Sequence, residues 1–406
     1  MLTTASTAPA QSATSQDPSF QDRAAAYHAF ILGRSLEGGG DIDGAVDAYE
    51  QAAELDPGAS GIWSELAALY ARQNQADEAI RAGNTALERD PDDNDAHRIL
   101  GLVYAARAGS RDAPSPDDID RAVTHLERAR NPQAPDAGLY ITLGRLYVST
   151  RQPDKAIAIL TEILDVEPQF TDALVMLARA HESRGEWDEA AAAYERAVLY
   201  SPRRTRYRRQ MANALVNAGQ PERARAALQE LVRIRPQDAD GWYALADLEL
   251  DLDDYDAAEA AARQVLDLEP DSVRGAYALS RALGGKREYR ALVDELTPVV
   301  SLARENDAAP GQVASLLQRL SVAHQSLGEF DLAAATLRDA LDLVPSNLGL
   351  QVQLVQVYLE AGRLDDAAQL VARAQEGRPA NLALMRLEAQ MLSARGELGD
   401  AVAVLE

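Results

Sequence analysis

The chain has 406 residues, with 40 Lys and Arg against 64 Asp and Glu, for a net charge of −24. That balance argues against general nucleic-acid binding, which needs a basic face to neutralise phosphate, and against attraction to anionic membranes. There is no cysteine, which excludes disulfides, thiolate chemistry and cysteine zinc sites; no run of 18 apolar residues is present to span a bilayer.

Residues 1–20 open with MLTTASTAPAQSATSQDPS, rich in Ser, Thr, Ala, Pro and Gln, and read as disordered. The segment looks like the start of a mature chain from which a secretory signal has been cleaved. The expected location is therefore periplasmic or secreted, with the cytoplasm as the alternative. Residues 21–406 carry a rhythm. A proline returns every 34 residues at Pro57 and Pro91, then at Pro168, Pro202, Pro236 and Pro270, then at Pro345 and Pro379. The interval from Pro91 to Pro168 is 77, twice 34 plus 9, and that from Pro270 to Pro345 is 75, twice 34 plus 7. A fixed period near 34 marks stacked helical hairpins, so the expected fold is an all-α solenoid of about eleven helix-turn-helix repeats.

With each proline set at position 32, small residues align. Position 20 holds Ala45, Ala79, Ala156, Ala190, Ala224, Ala258, Ala333 and Ala367; position 8 holds Gly33, Ala67, Gly144, Ala178, Ala212, Ala246 and Ser321. Position 15 carries Gly185, Gly219, Gly328, Gly362 and Gly396, and large residues such as Trp63, Leu66 and Tyr70 fall at positions 4, 7 and 11. Large residues at 4, 7 and 11 share one face of a first helix. Small residues at 8 and 20 let the two helices approach. Glycine at 15 ends the first helix through a positive φ, and proline at 32 stops the second.

These aligned positions, as in Gly185–Ala197, resemble the tetratricopeptide repeat family over residues 26–406. The resemblance implies a right-handed superhelix of antiparallel helix pairs. Its first helices would line a concave groove that binds peptides or partner proteins. Two joints depart from the pattern. The surplus of nine is expected as a loop at 108–117, within an altered joint near 108–120, because of its Pro and Gly content. The surplus of seven is expected near 298–312, where Pro298 should kink a long second helix or start a new segment. The last repeat, begun at Asn381, stops inside its second helix, so Ala401, Val402 and Leu405 are expected to form an open apolar edge and the chain to be a fragment.

No catalytic constellation stands out. His28, His97, His125, His181 and His324 show no i, i+4 pair, and His97, His181 and His324 occupy framework positions, which points to packing. No metal and no cofactor are expected. The most distinctive local run is Arg203–Arg209, RRTRYRR, in an otherwise acidic chain. The family resemblance places positions 2, 5, 9, 12 and 13 of each first helix on the groove. It thereby gathers Arg206, Arg209, Asn213 and Asn217, with Arg145 and Arg179 from earlier repeats and Tyr243, Arg274, Tyr277 and Arg281 from later ones. Such a band would hold carboxylates through paired hydrogen bonds and resembles in part the carboxylate-clamp repeats. Clamp lysines are absent, however, and Ala244 and Ala278 stand where polar clamp residues belong. The competing reading pairs these arginines with Asp172, Glu182, Asp240, Asp247 and Asp251 on neighbouring helices.

The leading functional reading is a non-catalytic scaffold or adaptor, in a bacterium, that binds a protein or peptide bearing acidic groups and no nucleic acid. One alternative is the targeting arm of a larger enzyme continuing beyond Glu406. Another is a periplasmic scaffold for export of envelope polysaccharide or protein.

Overall fold

The computed structural model describes residues 19–109, 115–375 and 382–405. Nearly all of the segment expected to be disordered lies outside them, as do Pro379 and the middle of the expected 108–117 loop. Every regular element among the described residues is a helix. Residues up to Ser201 and residues from Pro202 form two compact units.

The first unit holds five hairpins: α1 (Phe20–Gly38) with α2 (Ile42–Leu55), α3 (Ser60–Arg72) with α4 (Ala76–Arg89), α5 (Asn94–Gly109) with α6 (Pro116–Ala129), α7 (Ala137–Ser149) with α8 (Pro153–Val166), and α9 (Thr171–Arg184) with α10 (Trp187–Tyr200). The second unit opens with α11 (Thr205–Asn217) and α12 (Pro221–Ile234), α13 (Ala239–Asp251) and α14 (Tyr255–Leu268), and α15 (Val273–Gly285) and α16 (Tyr289–Glu305). It closes with α17 (Pro310–Ser326) and α18 (Phe330–Leu343), α19 (Leu348–Glu360) and α20 (Leu364–Gln375), and α21 (Leu382–Ala394) and α22 (Leu398–Leu405). Within each unit a helix packs on its sequence neighbours, and first helices also meet across repeats, as α3 meets α5 and α13 meets α15.

The alanines are the contact points. All eight position-20 alanines have no exposed surface, and neither do Ala67, Ala178, Ala212, Ala246 and Ser321 at position 8. A Cβ on Gly33 would stand 2.6 Å from the Tyr49 ring, and one on Gly144 would stand 2.8 Å from Leu160. The hairpins are therefore closed by large residues of one helix filling the space left by small residues of the other.

The proline acts through the residue before it. Asp56, Asp90, Glu167, Ser201, Arg235, Glu269 and Val344 each sit between the second helix and its proline, with φ from −136° to −123° and ψ from 62° to 99°. The proline ring clashes with a helical conformation at that position. The proline carbonyl then needs a donor, and position 4 of the next first helix supplies it. Trp63, His97, Arg208, Trp242 and Gln351 donate to the carbonyls of Pro57, Pro91, Pro202, Pro236 and Pro345. Arg208, in the arginine run, is thus a buried brace of the turn. Asp93, Asp136, Asp238, Ser272 and Asn347 at position 34 cap the next helix in each case.

First helices end as the glycines suggest. The amide at position 16 reaches back to the carbonyl at position 11, as from Glu186 to His181 and from Gln220 to Leu215, and the residue between adopts positive φ. Gly185, Gly219, Gly328, Gly362 and Gly396 have φ of 71° to 84°, while Asn74, Arg151, Asp253 and Arg287 hold φ of 56° to 61° at the same position. A Cβ in this left-handed region costs about 1–2 kcal/mol. Arg287→Gly is therefore expected to raise stability by about 0.5–1 kcal/mol in urea unfolding, part of the gain being offset by glycine's chain entropy; Gly328→Ala should lower it.

The first joint differs from expectation, and the second keeps the expected long second helix, which ends at Glu305, without a new segment starting at Pro298. The nine extra residues do not form one loop. α5 is three residues longer than α3, the segment between α5 and α6 is three longer than that between α3 and α4, and the turn after α6 is three longer than that after α4. The seven extra residues become helix, because α16 is three residues longer than α14 and α17 four longer than α13. Pro298 lies inside α16, which continues through it. Leu296, Val299, Val300 and Ala303 are buried around it, while Asp294, whose carbonyl loses its amide partner, sits with Pro298 on an exposed turn where water can replace the bond. At the end of the chain Ala401 is buried and Val402 is 56% exposed; the Leu405 side chain lies outside the described residues.

Candidate functional site

Three successive first helices of the second unit, α11, α13 and α15, bring most of the candidate residues together. Arg209, Asn213, Asn217, Tyr243 and Arg274 line a cleft of about 550 Å³, along with Ala212, Val216, Ala244, Asp240, Asp247 and Asp251. The 34-residue repeat sets this up. Arg274 and Asp240 occupy the same position of successive repeats, as do Arg281 and Asp247, so each arginine meets the acid one repeat earlier.

Asp240 lies between two arginines. Arg274 donates to its Oδ1 at 2.8 Å and Arg209 approaches its Oδ2 at 3.1 Å. The Arg274 hydrogen bond, aided by Arg209, holds the Asp240 carboxyl below the usual aspartate range. Arg274 also stacks on the Tyr243 ring, 5.0 Å from its centroid. Arg281 reaches Asp247 at 3.4 Å and Asp251 at 3.5 Å. Burial, then Asp251, raises the Asp247 carboxyl, and burial followed by Asp247 raises the Tyr243 phenol. Arg209, Arg274 and Arg281 thus face three carboxylates, and the cleft is charge-balanced rather than basic. The pairing reading made from the sequence describes these contacts for Asp240, Asp247 and Asp251.

The remaining candidates stand elsewhere. Arg206 folds over the Tyr207 ring at 4.9 Å and donates to its hydroxyl. Tyr277 receives a 2.7 Å hydrogen bond from Arg319, whose guanidinium covers its ring; Arg319 was not singled out in the sequence. Asn213 and Asn217 are exposed, and Asn217 donates to the Asn213 carbonyl. Arg145 and Arg179 belong to the first unit, where both are exposed. Arg179 sits beside Glu182 and Tyr194; burial raises the Glu182 carboxyl and Arg179 opposes that rise.

Two features escaped the sequence. His97 and His125 lie 28 residues apart, yet their Nδ1 atoms are 2.8 Å apart between α5 and α6. His97 Nε2 donates to Pro91, so its Nδ1 accepts from His125. Burial, then the His97 ring, pulls the His125 pKa down to about 4. His181 and His324 each bind a carboxylate five residues on, Glu186 and Glu329. Among the described residues no group of three or more His, Asp or Glu is placed to hold a metal ion, and no helix is long and apolar enough to cross a membrane.

Comparison with known proteins places these repeats. Family models described as tetratricopeptide repeat match residues 38–103, 183–248 and 325–391, residues 141–205, and residues 239–272. Among solved structures, TTC0263, a thermophilic TPR protein of Thermus thermophilus, is 26% identical, with 47% of this chain and 100% of that chain covered and a TM-score of 0.34. YrrB, a TPR protein described as having an unusual peptide-binding site, is 20% identical over 49% of this chain and 98% of its own, with a TM-score of 0.42. The Naa15/Naa10 structure bound to HypK-THB matches 94% of this chain and 68% of that chain at 16% identity, with a TM-score of 0.46. No match was found among curated proteins. Tetratricopeptide repeats generally serve as protein-interaction scaffolds that bind protein or peptide partners, and the fold is typically non-catalytic. With matched repeats spanning well over half of its length and a structure of paired helices throughout the described residues, the chain belongs to the tetratricopeptide repeat family.

Proposed function

We propose that the chain is a non-catalytic scaffold that receives an acidic segment of a protein partner in the α11–α13–α15 cleft. The observation that carries this reading is Asp240, a carboxylate seated between Arg209 and Arg274. A partner's Asp or Glu, or a chain-terminal carboxylate, would take the same place. The exchange is inexpensive, since half-exposed ion pairs of this kind contribute only about 0–1 kcal/mol each. Tyr243 holds Arg274 from beneath, and Asn213 and Asn217 stand at the mouth to bond a peptide backbone. Arg281 and Tyr277 extend the strip. Arg206 lies beside it; Arg145 and Arg179 belong to the first unit and take no part in this cleft. We place the chain's site of action in the periplasm or outside the cell, which cell fractionation tests.

The binding reading is tested by titrating a labelled Glu-rich decapeptide into the wild-type chain and into Arg209→Glu/Arg274→Glu. Loss of at least roughly tenfold in affinity is expected from reversing two contacting charges. Equal binding to both would show that the cleft is not the site.

A further inference from the structure

A second cleft, in the first unit, has the opposite chemistry. It holds about 480 Å³ between α1, α3 and α5. Its floor is apolar: Ala26, Ile62 and Ile99 are buried, and Phe30 packs at a tilt against the Tyr49 ring, with centroids 5.5 Å apart. Tyr27 stands at the mouth, 68% exposed, one of the most exposed large apolar side chains described.

The rim is acidic. Asp56, Glu65, Asp93 and Asp95 line it against Arg23 and Arg98. Several of these charges are already committed. Asp93 caps α5 and accepts from Ser64 at 2.8 Å, Glu65 binds Arg34 at 2.7 Å, and Asp95 faces Arg98 at 3.6 Å. Asp56 is half-buried at the cleft wall, and its carboxylate has no polar partner among the described residues. An aromatic lip, an apolar floor and carboxylates in twofold excess over arginines suit one kind of occupant. The volume falls in the range of formed ligand sites and accommodates a few side chains. A cation near Asp56 would gain a charge-assisted hydrogen bond, and an aliphatic or aromatic side chain would cover the exposed Tyr27 ring.

We propose that this cleft is a second docking site, for a peptide segment that carries Lys or Arg beside an aliphatic or aromatic anchor. One chain would thereby hold two partners, or two segments of one partner, chosen by opposite charge. The site lies in a different unit from the α11–α13–α15 cleft, so either assignment can fail without the other.

The test uses three labelled dodecapeptides and fluorescence anisotropy at physiological ionic strength. One alternates Lys with Leu around a central Trp, the second replaces Leu and Trp by Ser, and the third replaces Lys by Glu. In the Arg209→Glu/Arg274→Glu variant, where the acidic-segment cleft no longer takes a Glu peptide, the first should bind at least roughly tenfold more tightly than the other two, since both anchor and charge are needed. Tyr27→Ala, an exposed position whose change leaves the packing intact, should weaken it at least roughly fivefold. Asp56→Asn/Asp95→Asn should weaken it similarly and flatten its salt dependence. Arg209→Glu/Arg274→Glu should leave it unchanged. Equal binding of the Lys/Leu/Trp and Lys/Ser peptides, unchanged affinity in Tyr27→Ala with its helical circular dichroism preserved, or no binding of the first peptide would each overturn the proposal.

Discussion

Replacing Arg225 by Ala is expected to lower stability by about 3 kcal/mol, the scale for a buried ion pair left with one partner. Glu249 is 1% exposed in the last turn of α13. Its two oxygens accept from Arg225 Nε at 3.0 and 2.9 Å, and the Arg225 terminal nitrogen lies 2.8 Å from Oε2. Without the guanidinium, a buried carboxylate loses the hydrogen bonds that offset its lost hydration. The desolvation cost of the intact pair also opposes folding. Arg225→Met/Glu249→Leu, which removes both charges and keeps the volume, should therefore return to near wild-type stability. Urea unfolding of the single and double variants checks both statements. A double variant as unstable as the single would show that the arginine matters through packing rather than charge.

The second large effect is steric. Gly101 sits at position 8 of the third repeat, where a Cβ would stand 2.5 Å from Leu126 Cγ and 3.0 Å from the Leu126 backbone nitrogen. Leu126 itself has no exposed surface, so α5 and α6 must separate to admit a side chain. Gly101→Val is expected to cost about 3 kcal/mol, at the upper end for overpacking. Gly61, the second residue of α3, meets nothing within 4 Å of its Cβ position, and Gly61→Ala should instead stabilise by up to about 1 kcal/mol, because alanine leaves the unfolded chain less freedom than glycine. The opposite signs, read by thermal denaturation, separate the close contact between helices from any general intolerance of glycine replacement.

The fold was legible because its determinants recur. Pro57 and its equivalents repeat one steric constraint on the preceding residue, and Gly185 and its equivalents repeat one left-handed turn, so each position supports the others. The two surpluses were visible as numbers but not as structures. A sequence interval does not say whether extra residues go into helix or loop, and α16 absorbs Pro298 because the exposed turn can be hydrated. Position 4 carries no common residue type, and the donor role that Trp63, Arg208 and Gln351 share toward proline carbonyls becomes visible only when different side chains end at one acceptor. The arginines of the α11–α13–α15 cleft were found from the sequence. Their charge balance with Asp240, Asp247 and Asp251 needed the repeat-to-repeat distances. The His97–His125 contact was out of reach, since 28 residues separate the rings and no local spacing encodes the meeting of α5 with α6.

The most direct test of the acidic-segment reading is the affinity of the Glu-rich decapeptide for Asp240→Asn against the wild-type chain. At physiological ionic strength the Debye length is about 8 Å, so the distant negative charges of the chain weigh little and the local exchange is measured. Removing the carboxylate that Arg209 and Arg274 now hold should tighten binding roughly three- to tenfold, the equivalent of one or two surface ion pairs no longer displaced. Affinity that is unchanged or weaker in Asp240→Asn would contradict a site in which Asp240 occupies the place of the partner's carboxylate.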